Sequence, residues 1–220
     1  MLLFSSATIA RAQVTNLAPG QTINLATVIN SNLTLQIADK QFGNFAFDWV
    51  GGALNLYSSN LVITALSNAV GFGVQFTQPL TLVGQGTDDF TLEYSALVTA
   101  PGYYIDDIDL AITGSASGGG VGSVGETVYS GGFGTNQVGE LEAFTPNAGP
   151  EQATNNIVPP QTEIWVEKDV VVACSTNNPF AIASISIIDQ TYSEIPEPST
   201  ALLVGVGVLG VVAVNRRRKS

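Results

Sequence analysis

The chain has 220 residues with 7 Lys+Arg against 18 Asp+Glu, a formal net charge of −11, and no histidine. Without histidine there is no Ser-His-Asp or Cys-His triad and no imidazole metal site. One cysteine excludes an internal disulfide framework, a zinc finger and an iron–sulfur site. A chain so poor in Lys and Arg holds no phosphate backbone, so nucleic acid is excluded as a partner.

At the start, Met1 to Ile9 is apolar and small, and Ala10-Arg11-Ala12 follows. Small residues at Ala10 and Ala12 fit the −3 and −1 positions of a signal-peptide cleavage site, which predicts a mature start at Gln13. The usual basic region before the apolar stretch is missing, so residues 1–12 read as the remnant of a signal peptide that starts upstream.

From Gln13 to about Tyr192 the pattern is that of strands. Leu33, Leu35 and Ile37 share one face, with Thr34 and Gln36 on the other. Phe45, Phe47 and Trp49 share the next, which makes Trp49 a core residue. Further strands are expected at Leu54 to Tyr57, Leu61 to Leu66, Val70 to Phe76, Phe90 to Thr99, Tyr103 to Thr113, Glu126 to Ser130, Val138 to Thr145, Thr162 to Ala173 and Phe180 to Tyr192. Turn formers such as Pro19-Gly20, Gly51-Gly52, Pro101-Gly102 and Pro159-Pro160 separate them. Gly114 to Gly125 and Pro146 to Pro160 read as flexible loops or hairpin tips, and no helix is expected in residues 13–192. Short strands at this spacing predict an all-β, antiparallel two-sheet β-sandwich, jelly-roll or Ig-like, with a closed barrel as the alternative.

Candidate sites in this body rest on residue chemistry alone. Asp106, Asp107 and Asp109, with Asp88 and Asp89 nearby in sequence, are the densest carboxylates. Alternation puts Asp107 and Asp109 on one face, where a hard cation such as Ca²⁺ could bind; a solvated edge that discourages aggregation is the other reading. Tyr103, Tyr104 and Trp165 could stack on sugar rings. Glu140 and Glu142 form a carboxylate pair of the kind a glycosidase uses. Cys174 ends an apolar run and reads as a buried small side chain. No catalytic residue is nominated, and the expectation is that the chain is not an enzyme.

The carboxyl end is a different kind of sequence. Residues 193–199 form a linker carrying Pro196-Glu197-Pro198. The unbroken apolar run Ala201 to Val214 would reach about 21 Å as a helix, short against a bilayer core of about 30 Å. A membrane helix is expected at 200–215, followed by a basic tail at 216–220. There Arg216, Arg217, Arg218 and Lys219 act as the stop-transfer cluster and stay in the cytoplasm. Proline, apolar run and basic cluster in this order resemble a PEP-CTERM sorting signal. The resemblance implies an exported protein handled by an exosortase-type membrane transpeptidase, anchored in the membrane at first through its carboxyl-terminal helix. It implies release to the cell envelope or the extracellular polysaccharide matrix of a bacterium. The body resembles an uncharacterised secreted β-rich module of such proteins in stretches such as DKQFGNFAF (Asp39 to Phe47) and VEKDVVVA (Val166 to Ala173).

The functional expectation is a non-enzymatic structural or adhesive protein of the envelope or biofilm matrix. The alternatives are a carbohydrate-binding module of the exopolysaccharide matrix and a secreted carboxylate-dependent hydrolase. No cofactor is expected beyond the Ca²⁺ considered at Asp106, Asp107 and Asp109.

Overall fold

The structure, a computed structural model, describes residues 13–52, 54, 57–68, 71–145, 151–175 and 177–196. Ala10 and Ala12, Glu197 and Pro198, the apolar stretch 200–215 and the basic cluster Arg216, Arg217, Arg218 and Lys219 lie outside the described residues. Among those described, no helix is long and apolar enough to cross a membrane.

Alternating apolar residues build thirteen strands among the described residues. In chain order they are β1 (Gln13–Asn16), β2 (Thr22–Asn24), β3 (Leu33–Ile37), β4 (Lys40–Gly51), β5 (Val62–Ser67), β6 (Phe72–Val83) and β7 (Gly86–Val98). Then come β8 (Tyr103–Ser117), β9 (Gly120–Tyr129), β10 (Gln137–Phe144), β11 (Glu151–Gln161), β12 (Glu163–Cys174) and β13 (Ile182–Pro196). They form a seven-stranded sheet, β1-β3-β4-β7-β12-β9-β10, and a six-stranded sheet, β11-β8-β13-β6-β5-β2. Pairing is antiparallel except where β1 lies parallel to β3. The chain is thus an all-β, two-sheet sandwich, as its sequence pattern predicts.

β12 shows how the sequence produces the layers. Ile164, Val166, Val170, Val172 and Cys174 face the other sheet and are buried, while Glu163, Trp165, Glu167, Asp169 and Val171 face outward. Period-2 alternation on each strand fills one interior with Val, Ile, Leu and aromatic side chains. Tyr94 anchors this interior, with the rings of Phe45 and Phe76 centred 5.6 and 5.5 Å from its own.

Five local expectations change. A short helix, α1 (Leu25–Asn30), interrupts the strands; Asn24 caps it by accepting from the Ala26 amide at 2.9 Å, and it buries Leu25 and Val28. Six residues are too few to display a helical period. Gly114 to Gly125 is not a loop: β8 and β9 run through it and turn only at Gly118-Gly119, where both residues have positive φ. Gly114 lies so close to β13 that a Cβ there would collide with the Ser184 carbonyl. Much of Pro146 to Pro160 is β11, an edge strand, where proline is tolerated because one side of the ladder is unpaired. β13 also continues past Tyr192 through Ser193 to Pro196, paired with β8, where the sequence predicts a linker. Of Leu54 to Tyr57, the two described residues, Leu54 and Tyr57, lie outside any strand.

Candidate functional site

The outer face of the seven-stranded sheet collects carboxylates from strands far apart in sequence. Register aligns Ala46, Glu93, Glu167, Thr127 and Glu140 in one row across the strands. The next row is Asp48, Thr91, Asp169, Gly125 and Glu142. A hollow of about 430 Å³ is lined by Ala46, Phe47, Asp48, Thr91, Glu93 and Glu167. A second, of about 250 Å³, lies over Gly125 between Glu140, Glu142, Glu167 and Asp169. No side chain at Gly125 fills its floor.

Electrostatics on this face are one-sided. Burial, then Glu167 and Asp48, pushes the Glu93 carboxyl above its ordinary range. Burial, then Asp89, does the same for Asp169. The only cations between Gln13 and Pro198 are Lys40 and Lys168, and both are buried inside the sandwich. Neither can neutralise the face. At its end the third row sets Trp165 between Ser95 and Tyr129. Phe133, from the turn after β9, packs edge-on against Trp165 at 5.0 Å and 80°. The Tyr129 hydroxyl lies 3.5 Å from Glu167 Oε2. An aromatic corner therefore adjoins the acidic rows.

The residues singled out in sequence are dispersed. Asp88 and Asp89 lie on β7 and Asp106, Asp107 and Asp109 on β8, in opposite sheets. Asp88 turns inward and accepts the Leu54 amide at 2.7 Å. Asp107 and Asp109 lie on the face of β8 away from Ile108 and Leu110, Asp107 half-buried and Asp109 buried, and Asp106 sits at the irregularity before them. Asp109 accepts from the Thr154 hydroxyl, and burial raises the Asp107 carboxyl against a hydrogen bond from Ser193. Among the described residues no three carboxylate or thiol groups are arranged to hold a metal ion.

Tyr103 and Tyr104 pair with Pro196 and Ile195 on the six-stranded sheet, whereas Trp165 belongs to the other sheet, so the three do not form one platform. Trp49 is partly buried against the core. Glu140 and Glu142 share the outer face of β10, bordering the second hollow. Cys174 is buried, its thiol pushed up by burial and 3.5 Å from the Leu82 carbonyl.

The acidic face escapes sequence reading because it joins four strands; only Glu140 with Glu142 and Glu167 with Asp169 are neighbours in the chain. Sequence reasoning also misses three buried polar residues, although a signal exists for each. Lys168, Glu126 and Gln190 all stand on the apolar phase of their strands.

The carboxyl-terminal half of β13 leads out of the sandwich. Lys40 on β4 reaches across to Glu194 on β13, Nζ to Oε1 2.5 Å, with Asp39 at 3.3 Å. Two residues later comes Pro196, the last of the strand. Residues 194–219 match the PEP-CTERM protein-sorting motif. The PEP-CTERM motif implies an exosortase partner and indicates an exported, envelope-associated protein. Its first three residues are the end of β13.

No curated protein matches the sequence. The β-rich body resembles carbohydrate-binding modules. It is similar to the CBM36-1 domain of a multidomain xylanase from the hindgut metagenome of Trinervitermes trinervoides, at 12% identity over 67% of this chain and 97% of that one, TM-score 0.26. It is similar to a CBM36 module in complex with calcium and xylotriose, at 15% identity over 66% and 99%, TM-score 0.26. The enzymatically active domain of bacteriophage CBA120 tailspike protein 4 matches at 11% identity over 69% of this chain, TM-score 0.33. The chain spans 19% of that tailspike chain.

Proposed function

We propose that this is a non-enzymatic structural or adhesive protein of the cell envelope or matrix, displayed there through its PEP-CTERM tail. The observation that supports this reading is the direct continuity of β13 with the motif. The strand that enters the sorting signal lies between β8 and β6, and its end is ion-paired to the opposite sheet through Lys40 and Glu194. A body attached by such a strand transmits the attachment to both sheets. Among the described residues its exposed charge is wholly acidic, which keeps it soluble and away from anionic surfaces.

Intact mass on fractionated cells tests this. A form ending near Pro198, found outside the cytoplasmic membrane, supports sorting and release. A full-length chain retained in the membrane overturns the matrix role.

A second reading is glycan binding at the aromatic corner, favoured by the contact of Phe133 with Trp165 beside the acidic rows. Carboxylates accept hydrogen bonds from sugar hydroxyls, and an indole can stack on the apolar face of a pyranose. A neutral polysaccharide should then shift the intrinsic fluorescence of the wild type and not of Trp165→Ala. Turnover of a chromogenic glycoside that is lost in Glu140→Gln would instead mark a carboxylate-dependent hydrolase.

A further inference from the structure

Three polar side chains meet where the sandwich should be apolar. Lys168 alternates with Val166 and Val170 on β12, Glu126 with Val124 and Val128 on β9, and Gln190 with Ile188 and Tyr192 on β13. Alternation drives all three between the sheets, and they are 0, 2 and 0% exposed. Lys168 and Glu126 face each other in the β12–β9 ladder. Gln190 arrives from the six-stranded sheet. Lys168 Nζ donates to Glu126 Oε2 and, at 2.5 Å, to Gln190 Oε1. Gln190 also lies close enough to Glu126 to favour its charged form, although Glu126 Oε1 and Gln190 Nε2 make no well-aligned hydrogen bond.

As an ion pair this arrangement is costly, because both charges are withdrawn from water. Burial lowers the Lys168 ammonium and raises the Glu126 carboxyl, and in each it outweighs the attraction of the partner. Burial therefore favours a neutral amine beside a neutral carboxylic acid. A desolvated lysine amine is a nucleophile. The carbon that bears Gln190 Oε1 is an electrophile. Well-oriented groups held together by a folded interior can reach effective concentrations of about 10⁵–10⁸ M.

We propose that Lys168 and Gln190 are joined by an isopeptide bond, with Glu126 as general acid and base. The Nζ lone pair attacks Cδ of Gln190 and forms the new C–N bond. Glu126 gives its proton to the carbonyl oxygen and takes one from Nζ. On collapse it gives a proton to Nε2 and recovers one from the carbinol oxygen as the Cδ–Nε2 bond breaks. One ammonia leaves, Lys168 becomes a secondary amide, and Glu126 ends as it began. No oxidant and no cofactor enter the balance. The bond ties β12, inside the seven-stranded sheet, to the strand that runs into the sorting motif.

The test is mass spectrometry of the denatured full chain. The wild type should be lighter than its sequence by one ammonia. Trypsin should fail to cut after Lys168, and a chymotryptic digest should contain a branched peptide holding Lys168 and Gln190. Cyclisation of an amino-terminal glutamine also releases ammonia, so the branched peptide decides the matter and needs no variant to fold. Glu126→Gln should leave Lys168 open to trypsin. Cleavage after Lys168 with only linear peptides in the wild type overturns the proposal. So does a branch at Glu126 with loss of water, since the bond would then be to the other partner.

Discussion

Tyr94 of β7 and Tyr192 of β13 meet between the sheets with their hydroxyl oxygens 2.8 Å apart. Each is fully buried, and burial pushes both phenols well above their ordinary range. Removing one hydroxyl leaves the other without its partner, which costs about 1–3 kcal/mol. Tyr94→Phe and Tyr192→Phe should each lower the urea midpoint with unchanged slope. The double variant should lose less than the sum of the two. Additive losses would show that the hydroxyls are satisfied elsewhere.

The folded body should end at Pro196 rather than Tyr192. A chain stopped after Tyr192 loses the last rungs of the β13–β8 ladder and leaves buried Lys40 without Glu194. Asp39 still faces Lys40 at 3.3 Å, so the loss should stay below the roughly 3–5 kcal/mol of a buried charge left wholly unpaired. A chain stopped after Pro196 keeps both features. Thermal unfolding should separate the two truncations clearly; equal melting temperatures would mean that residues 193–196 contribute nothing.

Glu167 stands opposite Glu93 in the β12–β7 register, and it raises the titrations of Glu93, Asp169 and Tyr129. Like charges directly opposite on a sheet are destabilising by roughly 0.2–1 kcal/mol. Glu167→Gln should therefore stabilise the body, and the gain should shrink in high salt as screening removes the repulsion. A destabilised variant would indicate that Glu167 is held by a favourable contact.

Stability should rise as the pH falls from neutral towards about 5. Burial raises the carboxyls of Glu93, Asp107, Asp169, Asp189 and Glu194. An acid whose folded value lies above its unfolded one binds its proton more tightly in the fold. Its contribution is present below the unfolded value and is lost as the pH climbs through the folded one. Melting temperatures measured at low salt between pH 5 and 7.5 check this. A protein less stable at pH 5 than at pH 7.5 would contradict it.

Much of the sandwich is legible in the sequence because alternation is local. β3 coincides with the run Leu33 to Ile37, and β12 is offset by one residue from Thr162 to Ala173. Long-range features are not legible in this way. The rows through Glu93, Glu167 and Glu140 exist only once the strand order sets β7, β12, β9 and β10 side by side. Trp165 can be placed on neither face from sequence, since residues before and after it are apolar; the sheet puts it outside with Phe133. β11 is masked by Pro159-Pro160, which an edge strand accommodates. Lys168 is the readable signal that goes unused: a lone cation in phase with Ile164, Val166, Val170 and Val172 already marks a buried polar contact in the strand pattern alone.

The last strand in the chain is not the last in the sheet. β13 is the final described strand, yet it fills the gap between β8 and β6, pairing with β8 from Ile182 to Pro196 and with β6 from Ile182 to Tyr192. Until it arrives, β8 and β6 are two open edges and the six-stranded sheet cannot close. A chain emerging from its amino-terminal end therefore remains unfinished until Pro196 is clear. The moment at which the body can first complete itself is also the moment at which the sorting motif comes into view.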